Sequence, residues 1–214
     1  MLIDMNLIGA YIVTLMILAL IKVRPDLSKA EQFLCRYGLA RFVLAAWLSA
    51  VTASYGTGLL SQYRGVARSA HFIAGMNLWI HEAGHFYFIW AGTFLHVLGG
   101  TLTQLLFTLG PALFCCVRRY WACAGVFLCW GGLNCFGIAR YVADARAKVL
   151  PLFGAVDSSR HDWNNILGML GLLEYDQMIG GAVNLFGWAL VISGGVLLVS
   201  ATYLHSKGLD QSPR

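Results

Sequence analysis

Apolar runs dominate this chain, and its polar residues collect between them. Residues 7–21 are uninterrupted apolar or small side chains, extended by Ile3 and Val23. Comparable runs follow at 39–60, 69–98, 101–117, 121–139 and 179–204. Each reaches or approaches the roughly 20 residues that an α-helix needs to cross a bilayer. The pattern predicts an all-α protein, a polytopic transmembrane helix bundle of about six spans. It forms a single integral membrane domain over residues 1–214, with one longer cytoplasmic loop. The paired Gly99-Gly100 marks the expected turn between the third and fourth spans, with a re-entrant arrangement there as the alternative.

The charge order around the first run argues for a retained span. Asp4 precedes it, and Lys22 and Arg24 follow it. A cleaved signal peptide has the reverse order.

Composition agrees with the pattern. Of 214 residues, 58% are hydrophobic and 12% are charged, against about 25% charged in an ordinary soluble domain. Mean hydropathy is +0.67. The net charge of +5 reflects Lys and Arg in the loops, and no nucleic-acid recognition motif accompanies it. The six cysteines form no CxxC pair; they read as small apolar residues in helix packing.

Counting basic residues gives an expected orientation. With the N-terminus outside, the 22–41 and 140–178 loops share the cytoplasmic face and hold nine of the fifteen Lys and Arg. Both termini are then extracytoplasmic. The long 140–178 connection contains His161-Asp162-Trp163 followed by Ile166, Leu167, Met169, Leu170, Leu172 and Leu173. That spacing predicts an amphipathic helix lying on the membrane or capping the bundle.

One motif carries chemistry. The third run contains His81-Glu82-Ala83-Gly84-His85, an HExxH. On a helix, positions i and i+4 share a face, so both imidazoles can reach one metal ion, zinc above all. Glu82 is then placed to hold the metal-bound water and act as general base. Given the His and Glu content, chance produces the motif on the order of 0.002 times per chain. Ionisable residues inside a span are costly and mark function. His85 lies about 24 Å along the helix from Ser69, which places the motif in the cytoplasmic half of the membrane.

A zinc site needs a third protein ligand. Asp144, at the end of the fifth span, and His161 and Asp162, in the following loop, can each close it. Other roles compete. Asp144 can pair with Arg140 or Lys148 at i−4 or i+4, and Asp162 can cap the helix after it. His71 and His96 lie about 15 Å or more from the motif along a continuous helix, and His205 lies in the C-terminal tail.

The HEAGH helix, the segment Gly99 to Gln104, the stretch Asn134…Tyr141-x-x-Asp144-Ala-Arg146 and His161-Asp162-Trp163 occur in a fixed order. Together they resemble uncharacterised bacterial membrane proteins related to the site-2 protease class of intramembrane zinc metalloproteases. The resemblance covers roughly residues 70–178. It implies a multi-pass protein of the bacterial inner membrane, with zinc held by His81, His85 and Asp144. Glu82 is then the base, and Asn134 positions the substrate. It also implies an active site toward the cytoplasm. Site-2 proteases carry an Asp-Gly pair at the third ligand, whereas Ala145 follows Asp144, so His161 stays open as the alternative.

The expected activity is hydrolysis of a peptide bond in or near a transmembrane helix of a partner protein. A zinc hydrolase acting on a lipid or small molecule would use the same residues. A metal transporter or sensor would bind metal without needing Glu82. Polarity concentrated in one helix favours catalysis over transport.

Overall fold

The computed structural model describes residues 27–36, 62–150 and 161–209, with isolated positions 11, 14, 51 and 57. The expected spans at 7–21 and 39–60 lie outside the described residues. Six α-helices are present among the described residues: α1 (Leu27–Arg36), α2 (Arg64–Tyr87), α3 (Thr93–Val117), α4 (Trp121–Ala143), α5 (Asp162–Leu170) and α6 (Asp176–Ser206). Short 3₁₀ turns at Ile89–Ala91 and Leu173–Tyr175 precede α3 and α6.

Three helical segments are long and apolar enough to cross a membrane: Thr93–Val117, Trp121–Ala143 and Leu173–Ser206. α2, at 24 residues, spans about 36 Å but carries Arg64, Arg68 and the charged motif. Its face toward α3 is buried, and α6 leaves Leu185, Phe186, Ile192, Val196 and Val199 exposed. Such an outer surface suits lipid, where only a helix satisfies its own backbone.

The α4–α6 pair is built on small residues at heptad spacing. Gly125, Gly132 and Ala139 of α4 face Gly194, Gly187 and Gly180 of α6, in antiparallel order. A Cβ at Gly132 would stand 2.7 Å from the Gly187 carbonyl oxygen, and one at Gly194 2.7 Å from that of Gly125. The seven-residue interval keeps both stripes on one face over the whole contact. Small side chains let the backbones meet.

The third and fourth runs divide elsewhere than expected. The break is at 88–92, not at Gly99-Gly100. Phe88 closes α2, its amide bonding back to Gly84, and Gly92 adopts φ +86°, a conformation that glycine takes without strain. Gly99 and Gly100 instead lie buried inside α3, where α2 crosses them. A Cβ at Gly84 would clash with the Gly99 carbonyl, and one at Gly99 would stand 2.7 Å from the Gly84 carbonyl oxygen.

The expected grouping of the 22–41 and 140–178 segments on one face is also corrected. Glu31 of α1 is buried, and its two carboxylate oxygens accept the amides of Ala122 and Cys123, each at 2.8 Å. Those are free donors of the first turn of α4. This contact fixes α1 at the N-terminal end of α4, whereas residues 144–150 and 161–176 lie at its C-terminal end. All six cysteines are free thiols, five of them buried.

Candidate metal centre

α2 runs alongside α4 in the same direction. Trp130 donates from its indole nitrogen to Asn77 Oδ1 at 2.9 Å, and the His81 ring lies 6.2 Å from that of Tyr141. The last two turns of α2 are thereby brought against the C-terminal end of α4 and the first turns of α3. His81 and His85 are both buried, and Glu82 between them is half-buried.

The third arm comes from α5. Asp162 Oδ2 stands 2.8 Å from His81 Nε2 and 3.2 Å from His85 Nε2. One ligand atom from each residue falls within 4.8 Å of the other two, a group that could hold a metal ion. Ligand atoms about 3.3 Å apart are what tetrahedral geometry with bonds near 2.0–2.1 Å requires. Two imidazoles and one carboxylate also suit a divalent ion chemically.

The outer ring nitrogens are committed elsewhere, and this sets which atoms face the centre. His85 Nδ1 lies 2.9 Å from the backbone oxygen of His96, a group that only accepts, so Nδ1 carries a proton. His96 returns the contact, donating from Nδ1 to the His85 carbonyl oxygen at 2.8 Å. His81 Nδ1 donates to Gln104 Oε1 at 3.0 Å, and Gln104 Nε2 donates to Asn134 Oδ1 at 3.3 Å. Both motif histidines thus present Nε2 inward. This is the arrangement by which surrounding acceptors orient metal-binding imidazoles. Glycine is required beside them, because a Cβ at Gly100 would stand 2.5 Å from His81 Nε2.

Asp162 owes its position to the local structure of α5. His161 caps that helix, its Nδ1 accepting from the Asn164 amide at 3.2 Å. The carboxylate of Asp162 is therefore not used as the cap and turns to the histidines. Its own amide donates to Tyr141 Oη at 3.0 Å. Burial pushes the Asp162 carboxyl up, but hydrogen bonds and charge from His81 and His85 outweigh it and hold the group below the usual carboxylate range.

Asp144, the expected third ligand, is not in this group. It lies at the C-cap of α4, where its carboxylate accepts the amides of Val149 and Leu150, both at 3.0 Å. Its Oδ2 faces His161 Nε2 at 3.4 Å. The two expected alternatives for the third ligand therefore contact each other, and both brace the segment that delivers Asp162. Burial pushes the His161 imidazole below its ordinary value, and the nearby Asp144 carboxylate offsets only part of that. Asn134, the expected substrate-positioning residue, is buried against Gln104, and its Nδ2 has no partner among the described residues.

Sequence reasoning assigns Gln104, His96 and Tyr141 no role at the site, although Gln104 and Tyr141 fall within the segments that carry the resemblance. One continuous helix would keep His96 about 15 Å or more from the motif. The reversal at 88–92 instead brings its ring within 5.6 Å of His85.

Comparison of the chain with protein-family models, curated proteins and solved structures gives no match.

Proposed function

We propose that this protein is a zinc-dependent intramembrane hydrolase of metalloprotease type, a multi-pass protein of the bacterial inner membrane acting on a transmembrane partner. The convergence of His81 Nε2, His85 Nε2 and Asp162 Oδ2 beside Glu82 carries the reading. Three protein ligands leave a fourth position open, the hallmark of catalytic rather than structural zinc.

A bound divalent ion would supply Lewis-acid polarisation of the scissile carbonyl and acidify its water. Glu82 takes the proton of the attacking water on its carboxylate. It then gives that proton to the amine as the C–N bond breaks, leaving a new carboxylic acid and a free amine. Gln104 and the His96 carbonyl hold the two imidazoles in place. Metal storage alone has no use for the carboxylate at Glu82.

The test is cleavage of a transmembrane-helix reporter in proteoliposomes. Wild type with zinc should cut it. Glu82→Gln, still loaded with metal, should not, and chelation should abolish wild-type activity. Equal processing by wild type and Glu82→Gln would refute the assignment.

A further inference from the structure

The helix directions sort the chain's charges onto two ends. α2 and α4 run in parallel, and α3 and α6 run against them. At one end lie the first turns of α2 with Arg64 and Arg68, the α3–α4 turn with Arg118 and Arg119, and Lys207 just beyond α6. α1 is fixed at this same end by Glu31 and brings Lys29 and Arg36. Cys35 of α1 also packs with Ala122, Leu198 and Ala201, near the start of α4 and the end of α6. At the other end lie Arg140, Arg146 and Lys148.

Seven of the ten described Lys and Arg therefore occupy the end remote from the metal centre. Most of the described acidic residues divide the other way. Glu31 lies at the basic end, whereas Glu82, Asp144, Asp162, Glu174 and Asp176 belong to the end that holds the metal centre. One basic residue there, Arg146, has its guanidinium 2.7 Å from the Asp176 carboxylate.

Lys and Arg in short loops flanking spans stay on the cytoplasmic side. The inner leaflet is anionic and attracts them. We propose that the arginine-rich end is the cytoplasmic face, seated on anionic phospholipid headgroups, and that the metal centre faces the extracytoplasmic side. This reverses the orientation expected from the sequence. Its basis is the regrouping of α1 with Arg118, Arg119 and Lys207, which only the packing reveals. The metal centre then draws its ion, its water and its substrate segment from outside the cytoplasm. The proposal rests on the membrane-spanning reading and not on the hydrolase assignment, since an inert centre would be oriented by the same charges.

The full-length chain, expressed in a Gram-negative host, tests it with two C-terminal fusions and one pair of cysteine variants. A C-terminal green fluorescent protein should fluoresce, and a C-terminal alkaline phosphatase should be inactive. Ala147→Cys, at the metal-centre end, should react in intact cells with a membrane-impermeant maleimide, above the wild-type background. Lys207→Cys should react only after lysis. The opposite pattern, or comparable signal from both fusions, would overturn the proposal. Reporter cleavage by wild type and Glu82→Gln is a separate measurement, so the two readings fail separately.

Discussion

Asp162 Oδ2 lies within 3.2 Å of both motif imidazoles, whereas Asp144 Oδ2 lies 3.4 Å from His161, the residue that caps the helix of Asp162. The two aspartates have separate tasks, one toward the centre and one toward the backbone that delivers it. Asp144→Asn replaces one of the two carboxylate oxygens, each of which accepts a backbone amide, with an NH2 group that cannot accept. We expect a loss of about 1–3 kcal/mol in stability, with metal stoichiometry near wild type. Thermal unfolding in detergent and metal analysis check the two halves. Complete metal loss in a folded Asp144→Asn protein would make Asp144 a ligand after all.

Gln104 orients His81 through a single hydrogen bond, and Asn134 orients Gln104. Gln104→Leu keeps the bulk and removes the acceptor for His81 Nδ1. Metal affinity should fall by about 10–100-fold, read by competition with a chelator. Gln104→Glu, which still offers an acceptor, should retain more affinity than Gln104→Leu. Equal affinities for Gln104→Leu and wild type would remove Gln104 from the account.

Gly100 gives His81 its room. A Cβ there would stand 2.5 Å from Nε2 and 2.6 Å from Cε1 of the ring. The helix backbone at Gly100 is needed for the α2–α3 crossing, so the ring must yield. Gly100→Ala should weaken metal binding and destabilise the fold by about 1–3 kcal/mol, the usual range for overpacking. Gly110, with nothing within 4 Å of its Cβ position, is the control, and Gly110→Ala should leave both properties unchanged. Metal titration and unfolding of the two variants decide the matter.

The α4–α6 contact depends on its glycine stripes. A Cβ at Gly187 would stand 2.8 Å from the Phe136 ring, and valine adds two further methyl groups. Gly187→Val should separate the helices and lower stability by about 1–3 kcal/mol or more. Gly195→Val, where the surroundings are open, should cost far less. A comparable loss for both would contradict the packing described.

The long apolar helices among the described residues and the HExxH pattern were legible in the chain because both are local. An apolar run of span length reads directly as a helix, and HExxH needs only one helical turn to bring its histidines together. What escaped depends on how helices meet. Ile89 and Trp90 continue the apolar run across the break, so hydropathy does not register the reversal at Gly92. The glycine pair at 99–100 resembles a turn, yet it serves a helix crossing that only the partner helix explains. The choice among Asp144, His161 and Asp162 was invisible for the same reason. Their order along the chain does not say which one caps, which one braces and which one faces the histidines. The capping role of His161 leaves Asp162 available, and a histidine directly before a helix-starting aspartate is too weak a signal to rank the three.

The central claim is that His81, His85 and Asp162 together hold one metal ion. The most direct measurement is the metal content of detergent-purified protein, loaded with zinc and desalted, for wild type, His81→Ala, Asp162→Ala and Asp144→Asn. About one zinc per chain is expected in wild type and Asp144→Asn, and close to none in His81→Ala and Asp162→Ala. Wild type that retains no metal, or a folded Asp162→Ala that retains a full equivalent, would contradict it.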